Sequence, residues 1–245
     1  MMKNGTMGVV VALSTCFAGA AFAVPQFTTV NAPASGEKGH GYIFGQIYGG
    51  TFSKTSNNRD YSNGLLLMQR LADGGGSGPT SLTGSTSGLT NDNQWIGPAA
   101  TLITAKAKYA AHNSIFGYFD DTKATPTFVP IFTTSDFNDP AVLALPAQFR
   151  WAIKNNNTGK ILTSNPANNV ENSKKLDQLV TYETIGLAPG VREWTLFWED
   201  LTPNDCSDYD YNDSAITIRT YTQIPTPGTA ALFGAGAVLM RRRKR

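Results

Sequence analysis

Cysteine, histidine and charge are all scarce in this chain of 245 residues, with 2 Cys, 2 His and 16% charged residues. Cys16 lies inside an apolar N-terminal run, so Cys206 is the one thiol expected to survive export processing, and an intramolecular disulfide is excluded. Stability must then come from an apolar core or from a metal. Two isolated imidazoles, His40 and His112, supply neither a zinc cluster nor a triad, and His112 beside Asn113 and Ser114 suits a turn. No Gly-x-Ser-x-Gly, His-Glu-x-x-His or phosphate loop occurs. The C-terminal apolar run 230–240, interrupted by Gly234 and Gly236, falls far short of the roughly 20 apolar residues that a stable membrane helix needs. No segment shows a helical stripe, and no low-complexity linker divides the chain.

What is present reads as β structure. Runs at 42–48, 65–71, 101–110, 115–119, 128–132, 149–153, 179–183, 194–198 and 215–221 are short and rich in aromatic or β-branched residues, and Gly, Pro, Asn and Asp separate them. Ile103, Ala105, Ala107 and Tyr109 alternate with Thr104, Lys106 and Lys108, which sets the lysines on a wet face. In Glu193-Trp-Thr-Leu-Phe-Trp-Glu199 both faces are apolar, the pattern of a strand buried between layers. Residues 73–88, dominated by Gly, Ser and Thr, read as a long exposed loop. The expectation is an all-β fold, a single jelly-roll-like β-sandwich in residues 24–223.

The two ends read as addresses. Lys3 precedes a run of small and apolar residues ending in Ala21-Phe22-Ala23, the small-x-small pattern that signal peptidase requires, so 1–23 is expected to be a signal peptide cut after Ala23. At the other end, Pro225-Thr226-Pro227-Gly228-Thr229 leads into the apolar run 230–240 and the cations Arg241, Arg242, Arg243, Lys244 and Arg245. Residues 224–245 resemble a PEP-CTERM sorting signal, with Pro-Thr-Pro where members usually carry Pro-Glu-Pro. That resemblance implies an exported bacterial protein, transiently anchored in the inner membrane with its cations inside. An exosortase-type enzyme would process it near Pro225–Gly228, releasing it to the cell surface or matrix. The whole chain has 20 Lys+Arg against 18 Asp+Glu, but six of the cations belong to the end segments. The remainder, 14 against 18, carries about −4, which excludes a nucleic-acid partner that would need a positive face.

The candidate chemistry lies in one stretch. Glu193, Glu199, Asp200, Asp205, Asp208, Asp210 and Asp213 fall within a segment free of Lys and Arg. Two carboxylates 4 Å apart repel by about 4 kcal/mol at an effective dielectric near 20, so their convergence calls for a counter-ion. All-oxygen donors point to Ca²⁺. In Asp208-Tyr-Asp-Tyr-Asn-Asp213 an extended backbone would aim residues 208, 210 and 212 at one point and Tyr209 and Tyr211 away from it. The expected ligand set is Glu199, Asp200, Asp208, Asp210, Asn212 and Asp213. An EF-hand is excluded because Asp213 stands where the turn glycine belongs and Arg219 where the last ligand belongs. The competing reading is a plain turn, in which Asp and Asn side chains bond their own backbone.

Phe197-Trp-Glu-Asp-Leu201 followed by Ser207-Asp-Tyr-Asp-Tyr-Asn-Asp213 resembles the ending of a bacterial secreted domain family of unknown function, frequent in proteins with PEP-CTERM tails. The resemblance implies a calcium-type β-sandwich at the cell surface. Asp136-Phe-Asn-Asp139 repeats the ending of the motif, an echo that is more often chance than a second cation site. Adjacent acids such as Asp120-Asp121 or Glu199-Asp200 point to opposite faces of a strand and cannot flank one glycosidic bond, so a hydrolase is not expected. A carbohydrate-binding module for exopolysaccharide is the alternative, with Trp95, beside the Gly-rich loop, as an exposed stacking platform.

Overall fold

The computed structural model describes residues 25–74, 78–82, 90–97, 100–110, 112–171 and 174–221. Ala23 and Pro225, Thr226, Pro227 and Gly228, with the segments they belong to, lie outside those residues. The described chain is an all-β sandwich of two sheets. One sheet runs Ser53–Lys54, Tyr61–Ser62, Leu67–Arg70, Leu179–Ile185, Val191–Trp198, Ser214–Tyr221, Ala100–Lys108 and Ala141–Ala144, antiparallel throughout. The other runs Pro79–Ser81, Asn91–Ile96, Gln148–Asn155, Ser114–Asp120 and Phe128–Thr133, with Ile161–Thr163 paired to Gln148–Asn155. The chain changes sheet after residues 70, 96, 108, 133, 144 and 163, so strands far apart in sequence become neighbours.

The doubly apolar strand Val191–Trp198 serves two cores. Trp194, Leu196 and Trp198 face the second sheet and pack with Trp95, Phe116 and Trp151. Phe197, on the opposite face, packs with Ile43, Phe44, Met68 and Tyr211. All four tryptophans are fully buried, so Trp95 is a core residue and not the exposed platform that its neighbourhood of Gly suggested. Its indole meets Trp151 and Trp194 edge-on at 6.0 and 5.6 Å, and its Nε1 donates to the Asp92 carbonyl at 2.8 Å. Aromatic bulk between the sheets outweighs the loop-edge position.

Residues 42–48, expected as a strand, belong instead to the helix His40–Tyr48. His40, Ile43, Phe44 and Ile47 recur at helical spacing and face the outer side of the first sheet, which gives the sandwich a third layer. The glycines make the fit possible. A Cβ on Gly41 would stand 2.8 Å from the Phe52 carbonyl oxygen, and one on Gly45 would stand 2.7 Å from that of Gly50. His40 stacks on Phe197 at 3.9 Å, and its two ring nitrogens lie 3.2 Å from the Tyr182 hydroxyl and 3.1 Å from the Tyr211 carbonyl. Burial lowers its pKa to about 3, so it is neutral in the fold.

Two further expectations are corrected. A register shift between Ala215 and Ile216 breaks the alternation near Lys106. Ile103 stays between the sheets, while Ala107 and Tyr109 pack toward the helix side. Within 73–88, read as an exposed loop, Asp73, Thr80 and Leu82 are buried, and Pro79–Ser81 is a strand parallel to Asn91–Ile96. Among the described residues no helix is long and apolar enough to cross a membrane.

Candidate metal site

The carboxylates of Glu37, Asp208 and Asp210 converge, with their ligand atoms all within 4.8 Å of one another. Twice the Ca–O distance of about 2.4 Å is about 4.8 Å, so one Ca²⁺ can touch all three. Glu37 arrives from the turn that precedes the helix, closed by its own N–H on the Ala34 carbonyl at 3.1 Å. Sequence reading missed it because it is remote from the motif, and only the docking of the helix brings it in. The cation adjacent in sequence, Lys38, turns away and sits 5.1 Å from the Tyr42 ring centre. Among the described residues none of the three acids forms a salt bridge.

The loop reaches this geometry by left-handed steps and not by an extended backbone. Tyr209 and Tyr211 have φ of 59° and 56°, conformations that bulky residues adopt at a cost of about 1–3 kcal/mol. The alternation turns Asp208 and Asp210 to one side and sends Tyr211 into the outer core, where its hydroxyl donates to the Asp177 carbonyl at 3.1 Å. Asp208 and Asp210 each accept a bond from the backbone N–H two residues on, at 3.4 and 3.1 Å, so the turn chemistry is present alongside the carboxylate cluster. Asn31 pins the loop from outside, its N–H donating to the Tyr209 carbonyl at 3.0 Å.

Asn212, 1% exposed, aims its amide at the cluster. Its Nδ2 donates to Asp210 Oδ2 at 2.6 Å and to Glu37 Oε2 at 3.2 Å, while its Oδ1 is buried without a partner. Turning the amide over would add that oxygen to the three carboxylates when a cation replaces the amide hydrogens. Burial, then the neighbouring Asp208 and Glu37 charges, push the Asp210 pKa up to about 7.

The other expected ligands form a separate, deeper group. Burial, then the neighbouring Asp213 charge, raise the Glu199 pKa to about 10. Asp213 Oδ2 accepts from the Asp200 N–H at 2.8 Å, and Asp200 Oδ2 accepts from Ser114 Oγ at 2.7 Å. Glu199 Oε2 also accepts from the Tyr209 N–H at 3.0 Å, so this group braces the outer loop from within. Glu199, Asp200 and Asp213 therefore stand outside the convergent set. Glu193 and Asp205 already have cations, Arg219 and Lys160. The 136–139 echo is a turn in which Asn138 Oδ1 accepts from Lys106 Nζ at 3.1 Å, and a lysine there opposes a cation.

A third set of acids lies near Thr28, which donates to Asp73 and Asp177. Asp92 is fully buried and both its carboxyl oxygens lack partners. Burial, then Asp73 and Asp177, hold its pKa well above the usual range. Burial, then Asp73, raise Asp177 to about 7, and Asp73 itself is raised by burial against the pull of Arg70. Carboxyls whose pKa is raised on folding stabilise the fold fully below their unfolded values near 4, and that stability is lost as pH rises through the folded values. His40, depressed to about 3, works oppositely between about 3 and 6.5 and offsets one carboxyl. In chelator, the unfolding free energy measured by urea titration is expected to fall from about pH 5 to about pH 8, because several carboxyls with raised pKa outweigh the single opposing histidine. A flat or rising profile would show that these carboxyls are ionised in the fold.

No protein-family model and no curated protein sequence matches the chain. Among solved structures, it overlaps the Chromobacterium violaceum lectin CV2L, solved in complex with alpha-methyl-fucoside, at 20% identity and a TM-score of 0.35. It also overlaps the Ralstonia solanacearum high-affinity mannose-binding lectin at 22% identity and a TM-score of 0.35. Each overlap covers 54% of this chain and 99% of the lectin.

Proposed function

We propose that this chain is an exported, non-catalytic β-sandwich of the bacterial cell surface or extracellular matrix, whose 208–213 loop is ordered by one Ca²⁺ ion. Glu37, Asp208 and Asp210 supply the carboxylates and Asn212 the amide oxygen, with water completing the six to eight oxygens that Ca²⁺ takes. The observation that carries this reading is the convergence of three carboxylates, from segments about 170 residues apart, around a buried amide with an unpartnered oxygen. Signal peptidase acting after Ala23 and an exosortase-type enzyme acting near Pro225–Gly228 are the processing partners in this reading. The acid pairs weighed for glycoside cleavage are engaged elsewhere: Asp121 binds Arg150, Asp120 binds Lys123 and Thr122, and Asp200 binds Ser114.

Calorimetric titration of the chelator-treated protein with Ca²⁺ tests the site. One ion per chain is expected, with weaker binding of Mg²⁺, whose bonds of about 2.0–2.1 Å demand a tighter octahedron. The decisive variant is Glu37→Gln, because Glu37 lies outside the acidic motif. Its affinity should drop by about tenfold or more, the loss of one charged ligand. Unchanged affinity in that variant would disprove the assignment of Glu37 and the site built on it.

A further inference from the structure

A cavity of about 430 Å³ opens between the 26–28 segment and the short 3-10 turn Pro166–Asn168, away from the acidic motif. We propose that it is a binding site for one unit of a neutral saccharide. Its volume falls in the range of small-molecule sites, about 300–1,000 Å³. Its walls mix donors and acceptors at close quarters: the amides of Gln26, Asn93 and Asn165, the carboxylates of Asp73 and Asp177, and the Lys175 ammonium.

The charge balance selects the ligand. Asp73 is neutralised by Arg70 at 2.7 Å, and the Lys175 ammonium lines the same cavity as Asp177, so neither a metal cation nor an anion finds a one-signed site. A neutral polyhydroxyl ligand can donate to the carboxylates and accept from the amides at once. One of the lining carboxylate oxygens is left without a donor from within the protein. Asp73, 5% exposed, lines the cavity with its Oδ1 unpartnered. Asp177 is reached through Thr28 Oγ1, which donates to its Oδ2 at 2.6 Å, and Thr28 N–H also donates to Asp73. The 26–28 segment is fixed across the mouth by Gln26 N–H on the Gly74 carbonyl at 2.8 Å and Asp73 N–H on the Gln26 carbonyl at 2.9 Å. Phe27 and Pro166 give apolar surface for the carbon face of a sugar ring, the Phe27 ring carrying Arg59 at 3.9 Å on one face.

This inference is independent of the cation site, since none of the cavity residues belongs to it. The probe is a panel of methyl glycosides of glucose, mannose, galactose and fucose with the corresponding trisaccharides, followed by saturation-transfer NMR and calorimetry in Ca²⁺ and in chelator. At least one member is expected to bind in both buffers. Ala167→Trp, at an exposed position on the rim, should abolish binding by filling the cavity, and Asp177→Asn should weaken it by about tenfold through loss of one acceptor oxygen. Thermal unfolding of each variant confirms its fold, and the second variant decides if the first is unstable. Failure of the whole panel to bind, or binding that survives the change at residue 177 in a folded protein, overturns the proposal. Binding seen only with Ca²⁺ would move the saccharide to the cation site and likewise overturn it.

Discussion

Adding Ca²⁺ to the chelator-treated protein is expected to raise its thermal unfolding midpoint by roughly 5–11 °C when the ion stands about a hundredfold above its dissociation constant. The figure follows from about 2.7 kcal/mol of linkage stabilisation and about 2–4 °C per kcal/mol for a chain of this size. The gain should be largest at alkaline pH, because Asp210 holds a proton with a pKa of about 7 that the cation must displace. Glu37→Gln and Asp208→Asn should each remove most of the gain. Without Ca²⁺ they should be neutral or mildly stabilising, since each relieves repulsion within the cluster. That reversal separates a cation site from a loop that merely needs its acids for turns, because a turn residue would cost stability in both buffers. Equal midpoints with and without Ca²⁺ would leave Asp208 and Asp210 as Asx-type turn residues only.

Trp95→Ala should lower the unfolding free energy by about 3–5 kcal/mol, the usual cost of removing a fully buried indole. The loss comes from the edge contacts with Trp151 and Trp194, the cavity left between the sheets, and the orphaned Asp92 carbonyl that Nε1 now satisfies. Urea or thermal unfolding reads it directly, and a midpoint about 6–20 °C lower is expected. A Trp95→Ala variant as stable as the parent would return this residue to the surface and restore it as a stacking platform. Any saccharide binding lost in the variant must therefore be judged against its unfolding, whereas Ala167→Trp alters the cavity mouth without emptying the core.

The strands that sequence reading found are those whose side chains declare a face. Residues 194–198 show both sides apolar, and the structure uses both, with Trp194 and Trp198 inward and Phe197 toward the helix. Short edge strands such as Ser53–Lys54 and Ala141–Ala144 escaped notice because two to four residues carry no readable period. The helix His40–Tyr48 was hidden by its glycines and aromatics, poor helix formers whose propensity is overridden by packing against Phe197 and Tyr182. The acidic motif was legible as a cluster of oxygen donors. Its partition was not, because the motif's own spacing contains no information about Glu37 or about which acids are protonated by burial.

The sequence by itself determined the all-β class, the placement of its main strands and the density of acids before the last one, because alternation, turn residues and charge are local properties. Only the tertiary structure decided that Trp95 is core, that Glu37 joins Asp208 and Asp210, that Glu199 and Asp213 face each other beneath them, and that a polar cavity forms against the 26–28 segment. Each of those outcomes depends on contacts between residues far apart in the chain. Their distances and burial are set by how the helix and the two sheets close on one another, and no local pattern encodes that closure.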